Sequence, residues 1–395
     1  MTMRIAVVCP DAFTAWNFHR SLLLALLSRG HEVHVIAAPN REVDVRHLTE
    51  SGLGYIPLGF QRFISPRADV AVLARLYSIL RSHRFDCVHS FNLKSFIYGT
   101  IIAHLAGVPR IFGTIEGLGF AYTEATSLKA RPLVFVMNAL NLVAGRLADK
   151  VWFLNSEDRD FFVSRHMIAT QDAVLVKSCG IRLQDFSDAS IDIRQAQQLR
   201  AELGVLDGAV LVTMVVARAV WSKGVREFVE AGLTLGREHP AVRFVLLAPV
   251  EEDSPQTVPP AYLRAAECAS RSFRWLSTFR DDVRELLSIS DIFVLPSYYR
   301  EGVPRTLLEA MAMGKPIVTT DNVGCRDVVD DGTTGFLVPV RSPQALAGAI
   351  RRLVEDPYLR RQFGSAARRK VEREFADSVI VPRVLQELYG EDNHK

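Results

Sequence analysis

Two carboxylates and two cations in the second half of the chain have the types and spacing that a charged, hydroxyl-rich ligand requires. Glu301 and Glu309 stand eight positions apart in Ser297-Tyr-Tyr-Arg-Glu-Gly-Val-Pro-Arg-Thr-Leu-Leu-Glu-Ala-Met-Ala-Met-Gly-Lys-Pro316. On one helix that separation is about 12 Å, roughly the reach from a ribose to a sugar joined to it through a diphosphate. Arg218 and Lys223 lie five positions apart, a planar fork and a point charge that together suit the diphosphate itself. A third carboxylate, Glu116, runs directly into Gly117-Leu-Gly119. It reads equally as a tight turn and as a place for a carboxylate to meet a ligand. Asn17, His19 and Arg20 follow the first strand and read foremost as cap or surface residues. Asp158-Arg-Asp160 has the D-x-D form of some metal sites, but it opens a helix, where Asp is expected as a cap and dipole complement.

These residues need elements that hold them. Ile292 to Leu295 is an apolar run expected as a buried parallel strand. Gly302 permits a tight turn, and Pro304 suits the first position of a helix. The helix carries Thr306 to Met313 and stops at Gly314, and Ile317 to Thr320 forms the next strand. Its N-terminus points to the crevice where open α/β sheets bind ligands. Arg218 and Lys223 fall in a similar connection, between a strand at Val210 to Val216 and a helix at Val225 to Arg237. In the first half, Ile5 to Cys9 is a strand and Pro10 to Ala15 a loop. A helix follows over Trp16 to Arg29 and a strand over Glu32 to Ala37. That loop is not G-x-G-x-x-G, so a nicotinamide or flavin fingerprint is absent. The strand Pro109 to Ile115 delivers Glu116. Leu128 to Leu147 is a long apolar helix flanked by Lys129, Arg131, Arg146 and Lys150, expected to pack in a core.

Strands and helices alternate in both halves, which gives an α/β protein of two doubly wound domains facing a central cleft. The first spans residues 1–190 and the second 205–375, with residues 376–395 crossing back onto the first. A length of 395 residues agrees with two cores. Hydrophobic residues make up 49% and charged residues 23%, a globular balance. A net charge of +3 gives no footprint for nucleic acid. Five scattered cysteines without C-x-x-C read as buried thiols in a reducing compartment. The opening residues do not form a signal peptide, and no apolar run reaches membrane-spanning length. The expected location is cytoplasmic.

Arg218, Lys223-Gly224, the pair Glu301 and Glu309, and Gly324 with Asp331-Gly-Thr-Thr-Gly-Phe-Leu337 resemble the retaining nucleotide-sugar glycosyltransferases of family 4. These are built on the GT-B fold of two Rossmann-like domains. The likeness covers about residues 210–375. Glu116-Gly-Leu-Gly119, Val176 to Gly180 and Ala217 to Gly224 are similar to a narrower bacterial group, which adds an N-acetylhexosamine to an undecaprenyl-diphosphate-linked sugar.

The resemblance implies roles. Glu309 would accept both ribose hydroxyls of a uridine nucleotide. Glu301 would hold donor-sugar hydroxyls, beside the backbone amides of Gly302 and Val303 at the helix N-terminus. Arg218 and Lys223 would stabilise charge on the departing diphosphate, so neither a metal nor another cofactor is expected. Such enzymes are commonly described by a same-face substitution without a protein nucleophile. Asn17, Glu116 and Gly117 would lie on the acceptor side, Glu116 close to the chemistry. The implied partners are a UDP-sugar, a lipid-linked sugar acceptor and the cytoplasmic face of the inner membrane. Phe60, Arg62, Phe63, Arg67, Lys129 and Arg131 are the expected docking residues.

Overall fold

The computed structural model describes residues 2–59, 66–123, 131–250 and 256–390. Phe60, Arg62, Phe63 and Lys129 lie outside them. The chain forms two compact units. The first runs from β1 (Arg4–Asp11) and α1 (Ala12–Ser28) through β2 (Glu32–Ala38), α2 (Glu42–Glu50), β3 (Gly54–Pro57) and α3 (Pro66–His83). It continues with β4 (Cys87–Phe91), α4 (Leu93–Leu105), β5 (Arg110–Ile115), the single turn α5 (Phe120–Thr123) and α6 (Arg131–Leu147). β6 (Lys150–Phe153), α7 (Ser156–Ser164) and β7 (Ala173–Leu175) complete it. Its sheet has the order β3-β2-β1-β4-β5-β6-β7, and all pairs are parallel.

The second unit begins with α8 (Ile193–Glu202), β8 (Val210–Val215), α9 (Val225–Glu238), β9 (Val242–Leu247), α10 (Pro260–Ala269) and β10 (Phe273–Leu276). Then come α11 (Val283–Ile289), β11 (Ile292–Leu295), α12 (Arg305–Ala312), β12 (Ile317–Thr320), β13 (Gly335–Val338), α13 (Pro343–Glu355) and α14 (Pro357–Glu374). The order is β10-β9-β8-β11-β12-β13, again all parallel. Both sheets are covered by helices, so strands such as β11, Ile-Phe-Val-Leu, are apolar at every position and fully buried. Each strand order reverses beside its first strand, between β1 and β4 and between β8 and β11. That reversal opens a crevice at the strands' carboxyl ends.

The last helix, α15 (Asp377–Val384), belongs to the first unit. It is eight residues long and contains Pro382, too short to persist alone in water. Burial of Ile380, Val381 and Val384 in the core around Ile5 and Val7 holds it in place. Ser21 Oγ also donates to Asp377 Oδ2 at 2.9 Å.

Four expectations change. No loop separates β1 from α1: the strand reaches Asp11, whose carboxylate caps the helix by accepting from Thr14 N at 2.7 Å. Pro304 is the N-cap of α12 and not its first residue, because its ψ of 114° is extended. The long helix α6 packs in a core along one face only, through Ala144 with Val134, Met137, Leu140 and Leu142 against it. Leu133, Phe135, Val136 and Val143 are exposed, and among its residues only Asn141, Ala144 and Gly145 are buried. The cysteines divide as well: Cys9, Cys87 and Cys325 are buried, Cys179 is partly buried and Cys268 is exposed.

Candidate active site

In the second unit, Arg218 and Lys223 both sit on the connection from β8 to α9. A short turn, Trp221–Lys223, carries the lysine to Gly224, which caps α9 with φ +80°. A side chain at Gly224 would need left-handed backbone, and its Cβ would stand 2.1 Å from Pro296 O. This close approach ties the connection to the end of β11. Tyr298 N and Tyr299 N both donate to Ser222 O at 2.9 Å. Lys223 Nζ lies 4.9 Å from the centre of the Tyr299 ring, a cation–π contact that orients the ammonium. Arg218 and Lys223 thus follow the carboxyl end of β8, and Lys223 is held beside the end of β11, its neighbour at the reversal point.

Glu309 comes from α12, which leads from β11 to β12. Its side chain is 15% exposed, and Arg305 Nε donates to its Oε1 at 3.1 Å across one helical turn. Burial pushes the Glu309 carboxyl above the ordinary carboxylate range, against the opposing pull of Arg305. A mostly buried carboxylate near a sheet's carboxyl edge is held at the expense of solvation. That is the condition in which a hydroxyl-bearing ligand gains most from meeting it.

Glu301, Gly302 and Val303 cluster with the first unit, apart from Glu309. The helical spacing used for the pair therefore does not describe them: Glu309 is helical and Glu301 is in the loop before the helix. Glu301 is buried at 8% exposure. Asn155 Nδ2 lies 3.4 Å from Glu301 O and 3.3 Å from Gly302 O. A Cβ on Gly302 would meet Glu116 O at 2.4 Å. Gly302 is required by contact, since its φ is not in the left-handed region. Asn155 also caps α7, accepting from Asp158 N at 2.8 Å. Asp158 is fully buried beside Asn155, and the exposed Asp160 pairs with Arg159 at 2.8 Å. The cap is Asn155 and neither aspartate: Asp158 lies in the first turn, where it complements the helix dipole, and Asp160 is a surface charge.

Glu116 follows β5, and Gly117 and Gly119 adopt φ of +115° and +73°, so the turn itself needs glycine. His19, in α1, brings Nε2 to 2.8 Å from Glu116 Oε1. Cys179, after β7, brings Sγ to 3.5 Å from the same oxygen. The His19 ring is buried and lies 4.0 Å from the Phe91 ring centre, and His89 stacks on Phe91 at 4.1 Å. His89 bonds Tyr389 OH through Nδ1 and Thr114 Oγ1 through Nε2. Burial holds its pKa well below the usual imidazole range, so it is neutral. Asn17 Nδ2 donates to Phe13 O at 3.1 Å and to Asp44 Oδ1 at 3.3 Å; its amide joins α1 to α2. Sequence reasoning passed over His19 as a cap or surface residue. Its position amid Leu22, Leu23 and Leu26 on the buried stripe of α1 was the available signal.

The family described as "Glycosyl transferases group 1" matches residues 199–370, and "Glycosyl transferase 4-like domain" matches residues 15–177. The chain is 30% identical to the N,N'-diacetylbacillosaminyl-diphospho-undecaprenol alpha-1,3-N-acetylgalactosaminyltransferase of Campylobacter jejuni, covering 97% of this chain and 98% of that one. It is 27% identical to the UDP-Gal:alpha-D-GlcNAc-diphosphoundecaprenol alpha-1,3-galactosyltransferase of Escherichia coli, over 75% of this chain and 74% of the relative. Among solved structures, Anabaena HepE in complex with UDP and glucose superposes with a TM-score of 0.77 at 18% identity, covering 98% of this chain and all of that one. WaaG, described as involved in lipopolysaccharide biosynthesis, superposes with a TM-score of 0.72 at 16% identity, over 98% and 100% of the two chains.

Proposed function

We propose that this chain, which belongs to the GT-B glycosyltransferases that join a 4-like domain to a group 1 domain, is a retaining enzyme that moves an N-acetylhexosamine from a UDP-sugar to a saccharide on polyprenyl diphosphate. The observation that carries the donor reading is the stitched edge of the second sheet. There Arg218 and Lys223 flank the β8–β11 reversal, with the carboxylate of Glu309 on the next helix. In this reading Glu309 accepts the ribose hydroxyls, and Arg218 and Lys223 take the charge that develops on the diphosphate. The bond from the sugar's anomeric carbon to the diphosphate oxygen breaks as the bond to the acceptor hydroxyl forms. The hydroxyl proton leaves with the departing phosphate oxygen. With two fixed cations on the leaving group, no metal is required.

Glu301, with the amides of Gly302 and Val303, is assigned to the donor sugar, and Glu116 with Gly117 to the acceptor. Diphospho-undecaprenol in the relatives' names supports a lipid-linked acceptor. No helix among the described residues is long and apolar enough to cross a membrane. Exposed Leu133, Val136 and Val143 lie along one side of α6, with Phe135 75% exposed further round. Arg131 is exposed at the start of the same helix. An apolar stripe beside a cation suits a bilayer surface, and this is the reading adopted for peripheral binding at the cytoplasmic face of the inner membrane.

The test supplies a panel of UDP-N-acetylhexosamines and UDP-hexoses together with undecaprenyl-diphosphate saccharides. Mass spectrometry reads the product, and NMR reads its anomeric configuration. The expected result is transfer of one N-acetylhexosamine with the donor's configuration kept. An inverted anomer refutes the retaining mechanism, and transfer only to soluble sugars refutes the lipid acceptor.

A further inference from the structure

His19, Glu116 and Cys179 come from three distant parts of the first unit, yet the imidazole nitrogen, a carboxylate oxygen and the thiol sulfur all lie within 4.8 Å of one another. His19 is 1% exposed. Its Nε2 is buried and has no aligned hydrogen bond, although it stands 2.8 Å from Glu116 Oε1. The Phe91 ring at 4.0 Å limits how far the imidazole can turn. Cys179 is held between Ser178 at φ +78° and Gly180 at φ +84°. A Cβ on Gly180 would stand 3.0 Å from Asp377 Cα, so the thiol-bearing loop is pinned beneath α15. One ligand is thus rigid, one sits on a constrained loop, and Glu116 lies between them.

We propose that His19 Nε2, Glu116 and Cys179 Sγ form a binding site for one Zn²⁺-class cation, with a fourth position open. Tetrahedral zinc bonds of about 2.0–2.3 Å separate neighbouring ligand atoms by roughly 3.3–3.8 Å. Small side-chain rotations bring these atoms to that spacing, opening the 2.8 Å contact and closing the wider one. A set of one nitrogen, one oxygen and one sulfur selects a borderline-soft ion and discriminates against Mg²⁺ and Ca²⁺. None of the three is among the residues assigned to the diphosphate. The consequence for catalysis rests on the reading of Glu116 as an acceptor-side residue: bound zinc withdraws that carboxylate and inhibits transfer while leaving UDP binding intact.

The protein is stripped with chelator, dialysed and titrated with Co²⁺, whose spectrum reports a thiolate ligand directly. The parent should show a sulfur-to-cobalt charge-transfer band and tetrahedral visible bands, both displaced by Zn²⁺. Cys179→Ser should abolish the charge-transfer band and Glu116→Gln should weaken cobalt binding at least tenfold, whereas Cys268→Ser should retain the parent spectrum. Circular dichroism of each variant verifies the fold. A parent without the band, or a Cys179→Ser protein with the parent's band, overturns the site. The spectrum needs no substrate, so its outcome is independent of the transferase reading. Unaltered transfer by zinc-loaded enzyme overturns the inhibitory consequence alone.

Discussion

Replacing Glu309 with Gln separates ligand binding from stability, because the two should move in different directions. The carboxylate is mostly buried, and its one ion pair, to Arg305 at 3.1 Å, does not offset its desolvation. A carboxyl whose folded pKa lies above its unfolded value is favoured protonated by folding. That contribution is complete below the unfolded pKa and lost as pH rises through the folded one. At neutral pH the ionised group therefore burdens the fold, and a neutral amide of the same shape should leave the melting temperature unchanged or higher. Nucleotide binding should suffer. A hydrogen bond to a charged acceptor contributes about 1.5–3 kcal/mol, against about 0.5–1.5 for a neutral pair. Two ribose hydroxyls thus lose about 2–3 kcal/mol together, and at 1.4 kcal/mol per decade the affinity falls about 30- to 150-fold. Calorimetric titration with UDP gives the affinity, and a thermal melt without ligand gives the stability. UDP binding by the parent should also weaken as pH falls through the raised Glu309 range. Undiminished UDP affinity in the variant would refute the ribose role, and a large drop in melting temperature would refute the energetic reasoning.

Lys223→Ala should lower kcat by about a hundredfold, comparable with losing one preorganised donor, and the parent should keep its activity in excess EDTA; dependence on added Mn²⁺ or Mg²⁺ would remove the cations from that role. Phe135→Ser with Val136→Ser should reduce sedimentation with anionic vesicles at least tenfold, since burying a large apolar side chain is worth about 1.5–3 kcal/mol, while UDP binding is unchanged. His89, held neutral by burial, has a folded pKa below its unfolded value. Its contribution to stability is therefore present above the unfolded imidazole pKa of about 6.5 and lost as pH falls below it. His89→Gln should flatten the loss of stability between about pH 6.5 and pH 5 in denaturant titrations; an unaltered slope would mean that other groups govern it.

The strands were legible because a parallel sheet covered on both faces leaves an uninterrupted apolar run. Ile292–Leu295 matches that reading residue for residue. The helices Pro343–Glu355 and Pro357–Glu374 carry equally plain signals in the sequence, with proline at the first helical position of each and Ser342 and Asp356 as caps. What failed was local chemistry that depends on distant partners. Pro10 to Ala15 looked like a loop, but Asp11 caps α1 and lets strand pass straight into helix. The apolar run in α6 looked like core on all sides, yet composition does not reveal that a partner covers only the face of Val134, Met137, Leu140 and Ala144. The approach of Gly302 to Glu116 was invisible for the same reason: the glycine is read as a turn until the residue it touches is known.

The two sheets share their strand order through six positions, so the backbone alone does not distinguish what each edge can bind. Side chains do. The second edge has Arg218 and Lys223 beside Gly224, whose missing Cβ lets the loop close against Pro296, and these groups suit an anionic leaving group. The first edge carries Glu116, with His19 and Cys179 against it, and is suited to hydroxyls or to a soft cation. This asymmetry has a physical origin in where burial is tolerated. An arginine and a lysine remain partly exposed at their strand ends, whereas His19 and His89 are buried as neighbours of one phenylalanine ring. Burial, and secondarily the neighbouring His19, disfavours a charge on His89, which is accordingly neutral. Under the proposed function, donor phosphate and acceptor hydroxyl would therefore meet different electrostatic surroundings on one repeated fold, a difference written in residue type before it is expressed in geometry.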